Sequence, residues 1–74
     1  MKTYVLFRDG KLLRDVANQP NVKAGREPAM TADPVKALMV RAWNAEEARA
    51  AFDAMDVHGF EVVTLSEARA RLGM

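Results

Sequence analysis

Few residues in this 74-residue chain are of types that do chemistry, and their spacing limits what they can do. Its one histidine, His58, stands just before Gly59, and no HxxxH or HExxH metal motif can be written around it. At the end of a helical segment, its expected role is to face the carbonyl end of the helix dipole. Ser66 lies in "TLSEA", without the Gly-x-Ser-x-Gly turn that exposes a nucleophile, and reads as a helix cap, a role it shares with Thr64. Glu46 and Glu47 are neighbours in sequence, but adjacent helix positions point in different directions. They are better explained as first-turn charge than as an acid and base. "KAGREP" holds one glycine and fits neither GxxxxGK[ST] nor GxGxxG, the two common phosphate cradles. No cysteine is present, so disulfides, thiolate catalysis and cysteine-ligated metal are excluded. This inventory predicts no enzyme, no cofactor and no metal.

Half of the residues are apolar and 28% are charged, the composition of a globular domain rather than a disordered chain. At this length one domain is expected, over residues 1–74, near the lower limit for a core without disulfides. The opening "MKTYVLFRDG" has too short an apolar run for a signal peptide. No segment approaches the roughly 18 apolar residues of a membrane span. A cytoplasmic protein with no membrane contact is expected. Net charge is +1 but unevenly spread. Lys2, Arg8, Lys11, Arg14, Lys36 and Arg41 make the expected strands basic. Glu46, Glu47, Asp53 and Asp56 make the expected helix acidic. A near-neutral total argues against nonspecific nucleic-acid binding as the main role, which needs several uncompensated cations.

These residues must be positioned by the elements that the pattern predicts. "TYVLFRDGKLLRDV" reads as a hairpin turning at Asp9-Gly10, since a type I′ turn needs positive φ at both central residues. That register sets Arg8 against Lys11, Phe7 against Leu12, Leu6 against Leu13 and Val5 against Arg14. Val5, Phe7 and Leu12 share one face; Tyr4, Leu6 and Leu13 share the other. A one-sided hairpin should be polar on its second face. This ribbon is apolar on part of both, so the second face is covered either from within the chain or by a partner. A third strand is expected over about Lys36–Trp43. A helix follows in "NAEEARAAFDAMDVHG", with Asn44 and Glu47 as a capping box, a buried stripe of Ala48, Ala51, Phe52 and Met55, and Gly59 as a left-handed cap. A fourth strand over about Phe60–Leu65 and a short helix ending at Gly73 complete the chain. Only Ala68 and Leu72, with Ala70 marginal, anchor that helix. The expected class is α+β: a four-stranded mixed sheet in the order β-β-loop-β-α-β-α, with the main helix on one face.

Binding is the function class left by this reading. Tyr4, Leu6 and Leu13, with Trp43 or Met39, are candidates for an apolar patch with Arg8, Lys11, Arg14 and Arg41 as a basic rim. Aromatic and Arg residues with little acidic charge are the makeup of interface cores. A homodimer through the hairpin sheet is one form this could take. Strands bearing Tyr4, Phe7 and Trp43 among arginines also suggest base stacking, but the aromatic motif and element order of RNA-binding sheets are missing. A nucleic-acid-associated protein, or an accessory subunit of an enzyme, is the alternative. In size, lack of catalytic signature and mixed α/β build, the chain resembles small phage- or plasmid-borne inhibitors, anti-CRISPR proteins among them. That resemblance implies a protein that occupies a surface on a larger protein or nucleoprotein complex. The acidic helix face (Glu46, Asp53, Asp56) is then a second candidate surface beside the basic one.

All three prolines fall in "NQPNVKAGREPAMTADP", residues 18–34. Loops beyond about 12–15 residues are uncommon in compact domains and are usually functional or disordered. Ordering this one costs on the order of 17–34 kcal/mol of backbone entropy. Burying Val22 and Met30 returns only about 3–6 kcal/mol. A mobile or loosely docked arm is therefore expected, anchored by those two residues, with Lys23, Arg26 and Glu27 exposed and Lys23 and Arg26 available to a partner.

Overall fold

The computed structural model describes residues 1–15 and 29–74. Its elements are β1 (Lys2–Arg8), β2 (Lys11–Leu13), β3 (Met30–Thr31), a single 3₁₀ turn (Pro34–Lys36), β4 (Met39–Ala42), α1 (Ala45–Ala54), β5 (Glu61–Thr64) and α2 (Leu65–Arg71). The α+β class is as expected. The sheet has five strands rather than four, because Met30–Thr31 pairs with β2 at the end of the proline-rich stretch. Residues 18–28 of the expected arm, with Val22, Lys23, Arg26 and Glu27, lie outside the described residues.

The hairpin turns where the sequence says it must: Asp9 has φ 53° and Gly10 φ 77°. Its ladder is shorter than expected, holding Phe7 against Leu12 and Arg8 against Lys11. Val5 does not face Arg14. It pairs with Met39 of β4 on one edge and with Val63 of β5 on the other, and Arg14 bridges to Ala37 instead. Tyr4 likewise pairs with both Val40 and Thr64, and Phe7 with both Leu12 and Glu61. A strand has two edges. So β5 runs along one edge of β1, while β2 and β4 share the other end to end. All named pairings are antiparallel. This corrects the expected mixed sheet. β4 and β5 run in the same direction, as a strand–helix–strand crossover requires, but β1 lies between them.

Both faces of β1 are filled from within the chain. Tyr4, Leu6, Leu13, Ala42, Ala48, Phe52, Val57 and Phe60 form one core. Val5, Leu12, Ala37, Val63 and Ala68 form the other, with Phe7, Leu65 and Leu72 packed against it. Successive strand residues point to opposite faces, so α1, through Ala48 and Phe52, covers one side and α2, through Ala68, the other. The apolar second face of the hairpin is therefore interior. The surface that suggested a second copy is covered by the molecule's own helix.

Local chemistry sets the helix ends. The Asn44 side chain accepts from the Glu47 N–H at 2.8 Å, and the Glu47 carboxylate turns back to the Trp43 N–H at 3.4 Å. α1 ends before Gly59. Its left-handed residue is Asp56, at φ 61°, and the Asp56 and Val57 N–H groups bond to the Asp53 and Phe52 carbonyls at 2.9 and 3.2 Å. This is a Schellman ending, with Val57 and Phe52 as its buried pair. Met55 becomes the cap residue and is 43% exposed, so it leaves the expected stripe and Val57 takes its place. Asp tolerates the left-handed region less well than Gly, although Gly loses more freedom on folding. Asp56→Gly is expected to raise stability modestly, by up to about 1 kcal/mol, seen as a higher urea midpoint at unchanged slope.

α2 is capped by Thr64, whose hydroxyl accepts from the Glu67 N–H at 3.1 Å, and it ends at Gly73, φ 79°. Beyond the expected Ala68 and Leu72, Arg71 holds it down. Its guanidinium donates to both Glu61 oxygens at 2.8 and 2.9 Å and to Glu67 at 2.9 Å, and lies 5.1 Å from the Phe7 ring centre. The Arg71 hydrogen bond holds the Glu61 carboxyl below its ordinary value, with the guanidinium charge adding to it. A lowered carboxylate contributes stability above its unfolded value and loses it as pH falls through the folded one. Acid should therefore loosen α2 first at the Glu61–Arg71 contact. A nuclear magnetic resonance titration checks this, and Glu61→Gln should abolish that part of the acid response.

Candidate partner-binding surface

The residues expected to meet a partner do not lie together. Tyr4 is buried in the α1-side core, and this corrects its assignment to the surface. A tyrosine in the middle of the central strand, flanked on both edges, is covered whichever face it takes. Arg8 and Lys11 lie opposite each other at the hairpin end. Arg8 is half-buried and stacks over the Phe60 ring at 4.4 Å, so it closes a core rather than offering an open charge. Arg14 is exposed, and its backbone N–H donates to the Ala29 carbonyl at 2.9 Å. Lys23 and Arg26 lie outside the described residues.

Arg41 and Trp43 stay together at the far end of the sheet. Arg41 pairs with Thr3, roughly 17 Å along β1 from Arg8. Trp43 follows β4 directly and is 68% exposed; Met39, two residues before Arg41, is 37% exposed. The alternation that buries Val40 and Ala42 toward α1 turns Met39 and Arg41 to the α2 side. α2 covers Val5 and Val63 there but does not reach the β4 edge. The anticipated single patch is therefore two sites. The exposed aromatic belongs to the β4 site and not to the hairpin.

An open groove of about 410 Å³ adjoins that site, lined by Lys2, Thr3, Thr64, Leu65 and Ser66. Thr3 connects the two, since it faces the groove and lies directly across from Arg41. The lining offers an ammonium, hydroxyls and an aliphatic floor, with no carboxylate or imidazole for proton transfer beside Ser66. Thr64, not Ser66, is the cap, and its hydroxyl is already engaged by Glu67. Lys2 and the groove were missed in the sequence because they exist only where the N-terminus of β1 meets the start of α2.

The other candidates are engaged locally. His58 lies between two carboxylates, Asp53 at 3.3 Å and Asp56 at 3.1 Å, all exposed, a kind of pair that contributes little. Glu46 and Glu47 occupy the first turn of α1. Among the described residues no three His, Cys, Asp or Glu side chains gather as a metal site, and no helix is long and apolar enough to cross a membrane. No protein-family model matches the chain, and no curated protein or solved structure does either.

Proposed function

We propose that this chain is a small non-enzymatic protein-binding module. It acts by occupying a surface on a larger protein or nucleoprotein complex, in the manner of phage- or plasmid-borne inhibitors of the anti-CRISPR type. The observation that carries this reading is Trp43. A domain this small buries its other large aromatics wholly or in part and leaves its one tryptophan 68% exposed, next to Arg41 and Met39. Trp and Arg are the residues most enriched at interface hot spots, and Met adapts to an irregular partner surface. Lys2, Thr3 and Arg41 supply a basic, hydrogen-bonding border.

Differential capture from the native host tests it. Tagged wild type, Trp43→Ala and Asp53→Lys are used side by side. The expected result is one protein retained by wild type and by Asp53→Lys and lost with Trp43→Ala, while all three melt alike. Retention through Trp43→Ala with loss in Asp53→Lys moves the surface to the acidic helix. A captured nucleic acid whose retention falls steeply with salt overturns the reading in favour of a nucleic-acid-associated protein.

A further inference from the structure

We infer that the outer edge of β4 accepts an extended, acidic segment of a partner protein as an added strand. This rests on the protein-binding reading and specifies how that site is occupied. A two-residue hairpin turn closes on a hydrogen-bonded pair, here Arg8 and Lys11. Alternation along β1 then turns the N–H and C=O of Tyr4 and Lys2 toward β4, where Val40 and Ala42 meet them. The N–H and C=O of Met39 and Arg41 therefore point outward, and among the described residues no strand lies on that edge. The next outward N–H, that of Trp43, is taken by the Glu47 carboxylate at 3.4 Å, so the open stretch ends there.

Charge selects the occupant. Arg41 and Lys2 enter no ion pair among the described residues, and the carboxylate beside the open stretch, that of Glu47, is engaged by the Trp43 N–H. A second copy of this chain paired antiparallel through β4 would set Arg41 across from Met39 with the two arginines on the diagonal, or directly opposite each other in the shifted register, and neither gives Arg41 an opposite charge. A charged edge also deters neutral and basic strands. An acidic strand gains from it: its carboxylates share the face of Arg41, and its alternate residues lie on the other face, beside Val40 and Ala42. The opposite edge, β5, has neither a cation nor an aromatic in its sequence of Glu61, Val62, Val63 and Thr64.

The test uses a synthetic peptide of about eight residues alternating Glu and Val, with an alternating Lys and Val peptide as control. Both are titrated into the full chain while backbone amides are followed by nuclear magnetic resonance. The acidic peptide should shift and protect the Met39 and Arg41 amides, and Arg41→Glu should weaken it by about tenfold or more. Met39→Pro removes an outward N–H, which an edge strand tolerates, and should abolish the response. A peptide N-methylated on alternate residues should fail as well, whether or not that variant folds. Equal response to both peptides, or shifts that spare Met39 and Arg41, overturns strand addition. If the Trp43-dependent capture succeeds while these amides stay silent, the binding module stands and this mode of binding falls.

Discussion

Phe52→Ala should destabilise the chain by about 3–5 kcal/mol, the usual result of truncating a fully buried phenylalanine. Phe52 has no exposed surface and stands where α1 meets the sheet, in the same core as Tyr4, Leu6 and Leu13. Its ring is also the buried partner of Val57 in the Schellman ending, so truncation should loosen that turn along with the core. A domain of this length has roughly 4–11 kcal/mol in total. Urea unfolding should show a midpoint lowered by a large fraction, with the variant partly unfolded at physiological temperature. A near-wild-type transition would mean that α1 is not the lid of this core.

Leu12→Ala should be the second large loss, about 2–5 kcal/mol, for the opposite face of the same sheet. Leu12 is fully buried among Val5, Ala37, Val63 and Ala68, beneath α2. If α2 were a frayed appendage, the site would relax and the loss would fall below that range. The two losses should be nearly additive, because the sheet separates the two cores. Their sum approaches or exceeds the whole stability, so the double variant is expected to be unfolded without denaturant.

Much of this architecture was legible in particular residues. Asp9-Gly10 gave the turn because two consecutive positive φ values leave few other choices. Asn44 and Glu47 gave the start of α1 because its orphan N–H groups need those oxygens. The two-sided apolar hairpin was read correctly as a surface needing cover. What covers it could not be read, because the answer is a strand order. β1 sits between β4 and β5, and nothing in a local pattern says that a crossover skips a strand. The same gap misplaced Tyr4, whose amphipathic ring suits an interface until a strand is known to flank it on each edge. Gly59 looked like the end of α1 because Gly is the best left-handed residue, but tertiary packing of Val57 against Phe52 placed the turn at Asp56. Trp43 and Arg41 were visible as candidates from the start. Their separation from Arg8 and Lys11 is a matter of distance along β1, which composition cannot supply.

The central claim is that the Trp43 end of β4 is where this protein meets its partner. Photo-crosslinking in the native host measures that most directly, with a photoreactive aromatic amino acid placed at position 43 in one variant and at position 53, on the acidic side of α1, in the other. The account predicts one discrete protein adduct from position 43, suppressed by adding Arg41→Glu, and none from position 53. An adduct from position 53 alone, or a nucleic-acid adduct at 43, would contradict it.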